Sequence, residues 1–434
     1  SNVWTRLKNV LANQTVMLRL GITLLLILVY RIASFIPIPL FNVKLFQSQS
    51  QWGEGFLGIL NSYTGQALAR FSILSLGISP YITASIAVQI LQMIIPQMKE
   101  WNEEGEAGKL KVNRLTKYFA LVLGLAQALL LILGTGVRGS QIQVGVDDSF
   151  FTYLYMALAV TAGTALTIWL ADMITAKGIG NGSSILIGVG VLTSIPIMIA
   201  TLNDKYLGTG NGLDIATYVF ILFLYVLILL GVVYMNIAKR KIPISYSNRQ
   251  GSMGRSDSNI PLKINSAGVL PVIFASTLLS IPLTIVGFLE GSVDSNTQSW
   301  ISSIFSYNQP VGFILYIILI VIFSFFYTFM MTNPHQMAEN LSKSNAYIPG
   351  VRPGEDTKNY IARILFKVTV IGTIYLVVLA ALPIVTAAIF GFTGQEAANI
   401  TLGGTGLLIV VGVASDTTQQ MEAMANQETY QGLF

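Results

Sequence analysis

The chain has 434 residues, of which 53% are hydrophobic and only 10% charged, a composition that excludes an ordinary soluble protein. Its net charge of +5 needs no nucleic acid to explain it, because basic loops are enough to orient a protein in a membrane. The absence of cysteine excludes disulfides, thiolate chemistry and cysteine-ligated metals, and a single histidine cannot form a multi-histidine metal site.

Ten apolar stretches follow one another along the chain, and we interpret each as a membrane span. They cover residues 20–36, 71–95, 118–136, 151–171, 183–202, 215–237, 267–289, 311–331, 368–390 and 402–414. With the N-terminus placed inside, 20 of the 25 Lys and Arg residues fall in the N-terminal segment or in even-numbered loops. This asymmetry predicts a multi-pass membrane protein with both termini in the cytoplasm.

Three connections depart from a plain bundle of helices. Residues 53–70, between spans 1 and 2, are moderately apolar but too short and too rich in glycine to span. On the sequence alone, a helix on the outer membrane surface is favoured for this segment; a re-entrant element folded into a pore is the alternative. The loops 238–263 and 332–367 are basic and rich in turn formers, and we expect no core of their own in them. They either orient the protein through their charge or form a docking surface for a large cytoplasmic partner.

The ten spans divide into two halves, residues 1–202 and 203–434. Five spans in each half force the second half to be inverted relative to the first, although no residue-level repeat is evident. The spans carry almost no acidic residue in their centres, which disfavours an ion-coupled carrier with a midplane carboxylate. Arg31 lies near the outer end of span 1, where we expect its side chain to snorkel to the interface, and Asp172 lies at the inner end of span 4.

Isoleucines and a few amides are the side chains of interest within the spans. Ile78 and Ile82 are four residues apart around Pro80 and are predicted to share one helix face. Ordinary packing is favoured for these and for Ile187, Ile273 and Ile409; a hydrophobic constriction that gates by dewetting is the alternative. Similarly, interhelical hydrogen bonding is the default for three polar residues at or near spans 2, 3 and 7, and a weak, reversible seam is the alternative. These residues are Gln89, Gln127 and Asn265.

Six blocks of sequence resemble the SecY family, whose members form the channel of the bacterial protein translocase, in the same order and spacing. They are YRIASFIPIP (30–39), FSILSLGISPYITASIAVQILQ (71–92), GIGNGSSILI (178–187), IPLKINSAGVLPVIFAS (260–276), NPHQMAENLSKSNAYIPGVRPGE (333–355) and GGTGLLIVVGVA (403–414). The resemblance implies an all-α polytopic membrane protein, with ten transmembrane helices in two inverted five-helix halves around a central pore. It also implies a short plug helix at about residues 53–70.

The resemblance assigns roles to four groups of residues. The family's pore ring falls on Ile78, Ile82, Ile187, Ile273 and Ile409. The plug contains Phe56, Leu57, Ile59, Leu60 and Tyr63, and the lateral gate between spans 2–3 and 7–8 contains Gln89, Gln127 and Asn265. The docking surface for the motor or the ribosome contains Arg240, Lys241, Arg249, Arg255 and Arg352.

The implied function is a protein-conducting channel of the bacterial plasma membrane. Unfolded preproteins would cross it, and apolar helices such as signal sequences would leave it sideways into membrane lipids. The implied partners are SecE, SecG, the SecA motor ATPase and the ribosome, with no nucleic acid read directly. The chain would not be an enzyme and would have no cofactor, metal or catalytic residue.

Some positions depart from the family pattern. Lys109 and Lys111 stand where the family usually has an Arg pair, Ala171 and Asp172 where it has Gly–Glu, and residues 257–259 (DSN) where Ser–Thr–His is common. These departures leave open a divergent or accessory member that serves a restricted set of substrates. The alternatives from other classes are an inverted-repeat solute transporter and a non-conducting scaffold subunit.

Overall fold

The computed structural model describes residues 3–39, 61, 64–68, 72–103, 106–134, 150–208, 210–246, 259–264, 268–288, 295–306, 309–392 and 395–431. Most of these residues lie in helices. The helices are α1 (Val3–Ala12), α2 (Gln14–Ala33), α3 (Ser79–Ile94), α4 (Pro96–Glu103), α5 (Glu106–Gly134), α6 (Phe150–Lys177), α7 (Gly182–Val191), α8 (Ser194–Tyr206), α9 (Gly212–Ile237), α10 (Leu270–Phe288), α11 (Ser295–Phe305), α12 (Pro310–Met331), α13 (Pro334–Lys343), α14 (Glu355–Ile389) and α15 (Gln395–Gln431). The strands are β1 (Lys239–Pro243), β2 (Ser245–Tyr246), β3 (Asn259–Lys263) and β4 (Ala346–Tyr347).

Within the described ranges, eight helical segments are long and apolar enough to cross a membrane. They correspond to predicted spans 1, 3, 4, 5, 6, 8, 9 and 10. Predicted spans 2 and 7 correspond to the shorter helix α3, of 16 residues, and to α10. The observed helices are therefore consistent with ten spans.

Prolines explain two departures from the predicted spans. The helix of span 2 begins only at Ser79, not at 71, because Pro80 lies in its first turn, where a missing N–H is tolerated. Span 5 is divided into α7 and α8. Pro196 has no N–H to donate to the carbonyl of Leu192, so a continuous helix is broken at that point.

Two other helices run well beyond their predicted spans. α14 begins at Glu355, where two acidic residues in its first turn suit the positive end of the helix dipole. α15 continues to Gln431, because no Gly or Pro interrupts residues 415–431. With 35 and 37 residues, both helices exceed the roughly 20 residues that cross the hydrocarbon core.

One large apolar cluster joins helices of both halves and forms the centre of the molecule. Around it, the outward faces of the helices are apolar as well. On α9, for example, Val219, Phe223 and Leu230 are exposed. A helix that is apolar on both its inner and outer faces is typical of a membrane span, whose outer face contacts lipid.

The described parts of the two long loops form a structured unit, which we call the loop unit; it comprises β1–β4, α13, the turn between β4 and α14, and the first turns of α14. β1 pairs antiparallel with β3, and β2 of the first loop pairs antiparallel with β4 of the second, with Ser245 opposite Tyr347. Seven buried side chains form its core: Ile242, Leu262, Leu341, Ala346, Ile348, Ile361 and Leu365. The expectation that these loops have no core is therefore wrong, and the helical fold includes four short strands.

Candidate functional site: a buried isoleucine cluster between the halves

Four helical elements contribute the five isoleucines singled out in the sequence. Ile78 and Ile82 lie at the start of α3, Ile187 within α7, Ile273 in the first turn of α10 and Ile409 within α15. Each side chain is at most 4% exposed, and all five belong to the central apolar cluster. The structure therefore places all five in the buried interior, within one large cluster that contains residues from both halves of the chain.

Local structure explains the placement of the first pair. Ile78 is the N-cap residue of α3, and its carbonyl oxygen accepts a hydrogen bond from the Ile82 amide at 3.1 Å. The two side chains therefore share the first turn, as predicted, although Ile78 precedes the helix. Ile273 is placed similarly, because its amide donates to the Val269 carbonyl at 3.2 Å, just before α10.

Most of the described residues of segment 53–70 are buried, and Ala67 belongs to the central cluster. Asn61, Thr64, Ala67 and Leu68 are all 5% exposed or less. A Cβ atom on Gly65 would lie 3.4 Å from the Cα atom of Gly190 in α7. The described part of the segment therefore lies inside the protein, and the interpretation as a surface helix is wrong for it. The five predicted plug residues, Phe56, Leu57, Ile59, Leu60 and Tyr63, lie outside the described residues.

Arg31 holds this segment in place. Its guanidinium donates a hydrogen bond to the Gly65 carbonyl oxygen at 2.7 Å and lies 5.6 Å from the centroid of the Phe35 ring. Gly65 has a φ of +66°, which favours glycine. The side chain of Arg31 thus bonds to the protein, whereas its snorkelling to the interface stays a prediction. A charged side chain within a span is usually paired with another group of the protein, so the position of Arg31 in span 1 was the signal in the sequence for this contact.

The helices that carry two of the predicted lateral-gate residues contact the second half of the chain. Gln89 of α3 and Gln127 of α5 are both half-buried, and Asn265 lies outside the described residues. α10, from the second half, packs against both α3 and α5. Gln92, one turn beyond Gln89, is more deeply buried, at 5% exposed, and the sequence analysis did not single it out.

Aromatic rings join α10 to α12 on the other side of this seam. The ring of Phe274 lies 5.8 Å from that of Phe323 and 6.1 Å from that of Tyr327, both in edge-to-face geometry. Such pairs stabilise a contact by about 1 kcal/mol beyond the area they bury. α10 and α12 are therefore held together as one side of the seam.

Three of the predicted docking residues lie on the exterior of the loop unit. Arg240 and Lys241 are exposed on β1, and Arg352 is exposed in the turn before α14. The backbone carbonyl of Arg352 accepts a hydrogen bond from the Thr357 hydroxyl at 2.6 Å, which ties this turn to the helix. Arg249 and Arg255 lie outside the described residues.

Asp172, one of the departures noted above, forms an ion pair. Its carboxylate lies 2.6 Å from the ammonium of Lys117, and this pair connects α6 to α5. Both side chains are 42% exposed, so the pair contributes little to stability, about 0–1 kcal/mol. Among the described residues, no group of three or more His, Cys, Asp and Glu is arranged to hold a metal ion.

Residues 72–418 match the model of the SecY family. The chain belongs to the SecY family. It is 42% identical over 421 residues to the protein translocase subunit SecY of Halalkalibacterium halodurans, and this match covers 95% of each chain. It is also 40% identical over 419 residues to that of Bacillus subtilis, again over 95% of each chain.

Solved structures share the SecY fold described above. A protein-conducting channel superposes with a TM-score of 0.66 at 19% identity, over 94% of this chain and 93% of that one. Sec61 in the canine ribosome–channel complex from the endoplasmic reticulum superposes with a TM-score of 0.60 at 19% identity, over 94% and 92% of the two chains. At these identities, the likeness establishes the fold.

Proposed function

We propose that this chain is the protein-conducting channel subunit of a translocase. Unfolded preproteins cross the plasma membrane through it, and apolar helices leave it sideways into lipid. The observation that carries the proposal is the burial of five isoleucines, contributed by elements of both halves, within the central apolar cluster. The two halves, 1–202 and 203–434, enclose the pore as inverted units.

The isoleucines suit a seal around a moving polypeptide. Aliphatic side chains offer no specific hydrogen bonds, so they can close around any sequence. An empty constriction of such side chains resists wetting, which keeps ions from following the substrate. The ring formed by Ile78, Ile82, Ile187, Ile273 and Ile409 is the narrowest part of the pore in this proposal.

Residues 53–70 act as the plug, which contains Phe56, Leu57, Ile59, Leu60 and Tyr63. Support comes from Thr64, Ala67 and Leu68, which are buried, and from Gly65, where an added Cβ would lie 3.4 Å from the Cα atom of Gly190 in α7. The hydrogen bond from Arg31 to Gly65 anchors the base of the plug.

The lateral gate opens between α3 and α5 on one side and α10 and α12 on the other, with Gln89, Gln127 and Asn265 at or near the seam. A signal sequence is an apolar helix, and contact with lipid stabilises its apolar surface by about 25 cal/mol per Å². A polar contact that breaks when the seam parts costs little, because membrane hydrogen bonds contribute only about 1 kcal/mol each.

The loop unit is the docking surface for the partners that drive translocation, through Arg240, Lys241, Arg249, Arg255 and Arg352. We propose SecA and the ribosome as these partners, and SecE and SecG as the accompanying subunits. The structural relative Sec61 was solved in a ribosome–channel complex, which supports the ribosome as a partner. The excess of positive charge in the N-terminal segment and even-numbered loops supports placing both termini in the cytoplasm.

The test is protease protection of a preprotein that bears a signal sequence. Proteoliposomes would contain this chain with its cognate SecE and SecG, and SecA and ATP would be added outside. We expect the preprotein to become protected only when both ATP and this chain are present. No protection by an intact, correctly oriented complex would contradict a general channel. Protection of a few particular preproteins only would instead identify an accessory member of the family.

A further inference from the structure

The N-terminal helix α1 exposes an apolar face. Trp4, Leu7 and Leu11 are 64%, 49% and 53% exposed, respectively. Their spacing of three and four residues places all three on one side of the helix. Among the residues that the structure describes, none buries this face, so it requires a partner from outside the described chain.

Asn13 separates α1 from the first span. Its backbone is extended, with ψ at 116°, and its side chain accepts hydrogen bonds from the amides of Thr15 and Val16 as the N-cap of α2. α1 therefore ends at Ala12 and does not continue the axis of α2. With 10 residues it is about 15 Å long, half the thickness of the hydrocarbon core, so it cannot span the membrane.

The junction between the two helices is fixed to the rest of the molecule. Val16 is fully buried in a small cluster with Ile179, which precedes α7, and with Ala425 of α15. α1 itself packs against α2 and α15. The exposed side of α2 begins directly after the junction with Leu18, which is 66% exposed. The chain therefore passes from α1 directly into a span whose exposed side is apolar.

The charges around this face favour an anionic partner. Residues 1–30, which contain α1 and most of α2, carry three cations, Arg6, Lys8 and Arg19, and not one Asp or Glu. Lys8 follows Trp4 by one helical turn, and its ammonium lies 5.4 Å from the centroid of the Trp4 ring. Tryptophan is enriched at the membrane interface, and Lys and Arg beside an apolar helix face are typical of helices that lie on anionic bilayers.

We propose that α1 is an in-plane membrane anchor that inserts Trp4, Leu7 and Leu11 among the lipids of the cytoplasmic leaflet and binds anionic headgroups through Lys8. The occupant of this face is the bilayer itself. The proposal does not depend on conduction of polypeptides, so its test needs no translocation assay.

The fluorescence of Trp4 reports the environment of α1. The assembled complex would carry Phe in place of Trp52, Trp101, Trp169 and Trp300, which leaves Trp4 as the sole tryptophan of this chain; any tryptophan in the other subunits would also be replaced. It would be reconstituted into phosphatidylcholine vesicles with and without phosphatidylglycerol. We expect lipids brominated near the headgroup to quench Trp4 and aqueous iodide to have little effect. The lipid-quenched fraction should be larger in the vesicles with phosphatidylglycerol.

Two variants separate lipid binding from a change in net charge. Lys8→Gln should reduce the preference for phosphatidylglycerol about fivefold, which corresponds to about 1 kcal/mol for one cation at an anionic surface. Asn9→Asp lowers the net charge by the same amount, on the side of α1 away from Trp4, and should leave the preference unchanged. Strong quenching by iodide, or no quenching by either agent because another subunit covers Trp4, would overturn the proposal. Equal quenching in both kinds of vesicle would overturn it as well.

Discussion

The ammonium of Lys205 lies 3.8 Å from the centroid of the Phe392 ring. It also donates a hydrogen bond to the Phe390 carbonyl oxygen at 3.3 Å, and the Tyr206 ring meets the Phe392 ring edge-to-face at 6.0 Å. Lys205 lies at the end of α8, and Phe392 lies in the turn between α14 and α15. This contact therefore fastens the last span of the first half to the final helical hairpin of the second.

Replacing Lys205 by Met should destabilise the protein by about 1–2 kcal/mol, because the cation contacts an aromatic face and a carbonyl in a half-buried position. Lys205→Arg should retain most of this stability, since the charge remains. The measurement is the thermal unfolding midpoint of the purified complex. Asp204→Asn changes an exposed neighbour and serves as the control. A Met variant as stable as the parent would show that the contact is dispensable.

Replacing Gly65 by Ala should loosen the anchor of the proposed plug. At a φ of +66° the substitution costs about 1–2 kcal/mol, and the new methyl group would displace the Arg31 guanidinium. We expect a higher ion conductance of planar bilayers that contain the resting channel. Gly210→Ala is the matched control, because Gly210 has a φ of +67° and nothing within 4 Å of the added atom. Equal conductance in the two variants would show that Gly65 does not contribute to sealing the resting channel.

Replacing Ile82 and Ile187 together by Gly should make resting vesicles leaky to small ions. If the double substitution lowers the barrier to ion permeation by about 1.4 kcal/mol, the rate of ion leakage rises about tenfold. The control replaces Ile221 and Ile228 together by Gly; both are fully buried in α9, outside the proposed ring. A correctly folded Ile82/Ile187 variant that leaks no more than this control would refute the ring.

Replacing Arg352 by Glu should abolish SecA-driven translocation and leave assembly with SecE and SecG intact, since its exposed side chain is free to meet a partner. The rate of ATP-dependent preprotein protection measures the effect. Lys343→Glu makes the same charge change at another exposed position of the loop unit and should cost much less. An unaltered rate in the Arg352 variant would exclude this residue from motor docking.

Hydropathy predicted the spans well, because the energy of transfer into lipid depends on local composition. It placed α15 only to residue 414, since it detects contact with lipid and not helical structure that continues into water. The helix itself continues through Ser415 and Asp416 to Gln431.

Long-range contacts could not be predicted from local patterns. Nothing near Ser245 in the sequence indicates that it pairs with Tyr347, and nothing near Arg31 indicates that it bonds to Gly65. The isoleucines show the same limit. Their burial was expected from their type alone, whereas the prediction that they form a ring follows only from the resemblance to the family.

The strand pairing between the two long loops has a consequence for transplanting them between relatives. Each loop supplies one strand of the β2–β4 ladder and part of a common core: Ile242 and Leu262 come from the first loop, and Leu341 and Ile348 from the second. A chimera that takes only one loop from a relative would combine half of one interface with half of another. An exchange of loops between two members of the family should therefore transfer the preference for a docking partner only when both loops are exchanged together.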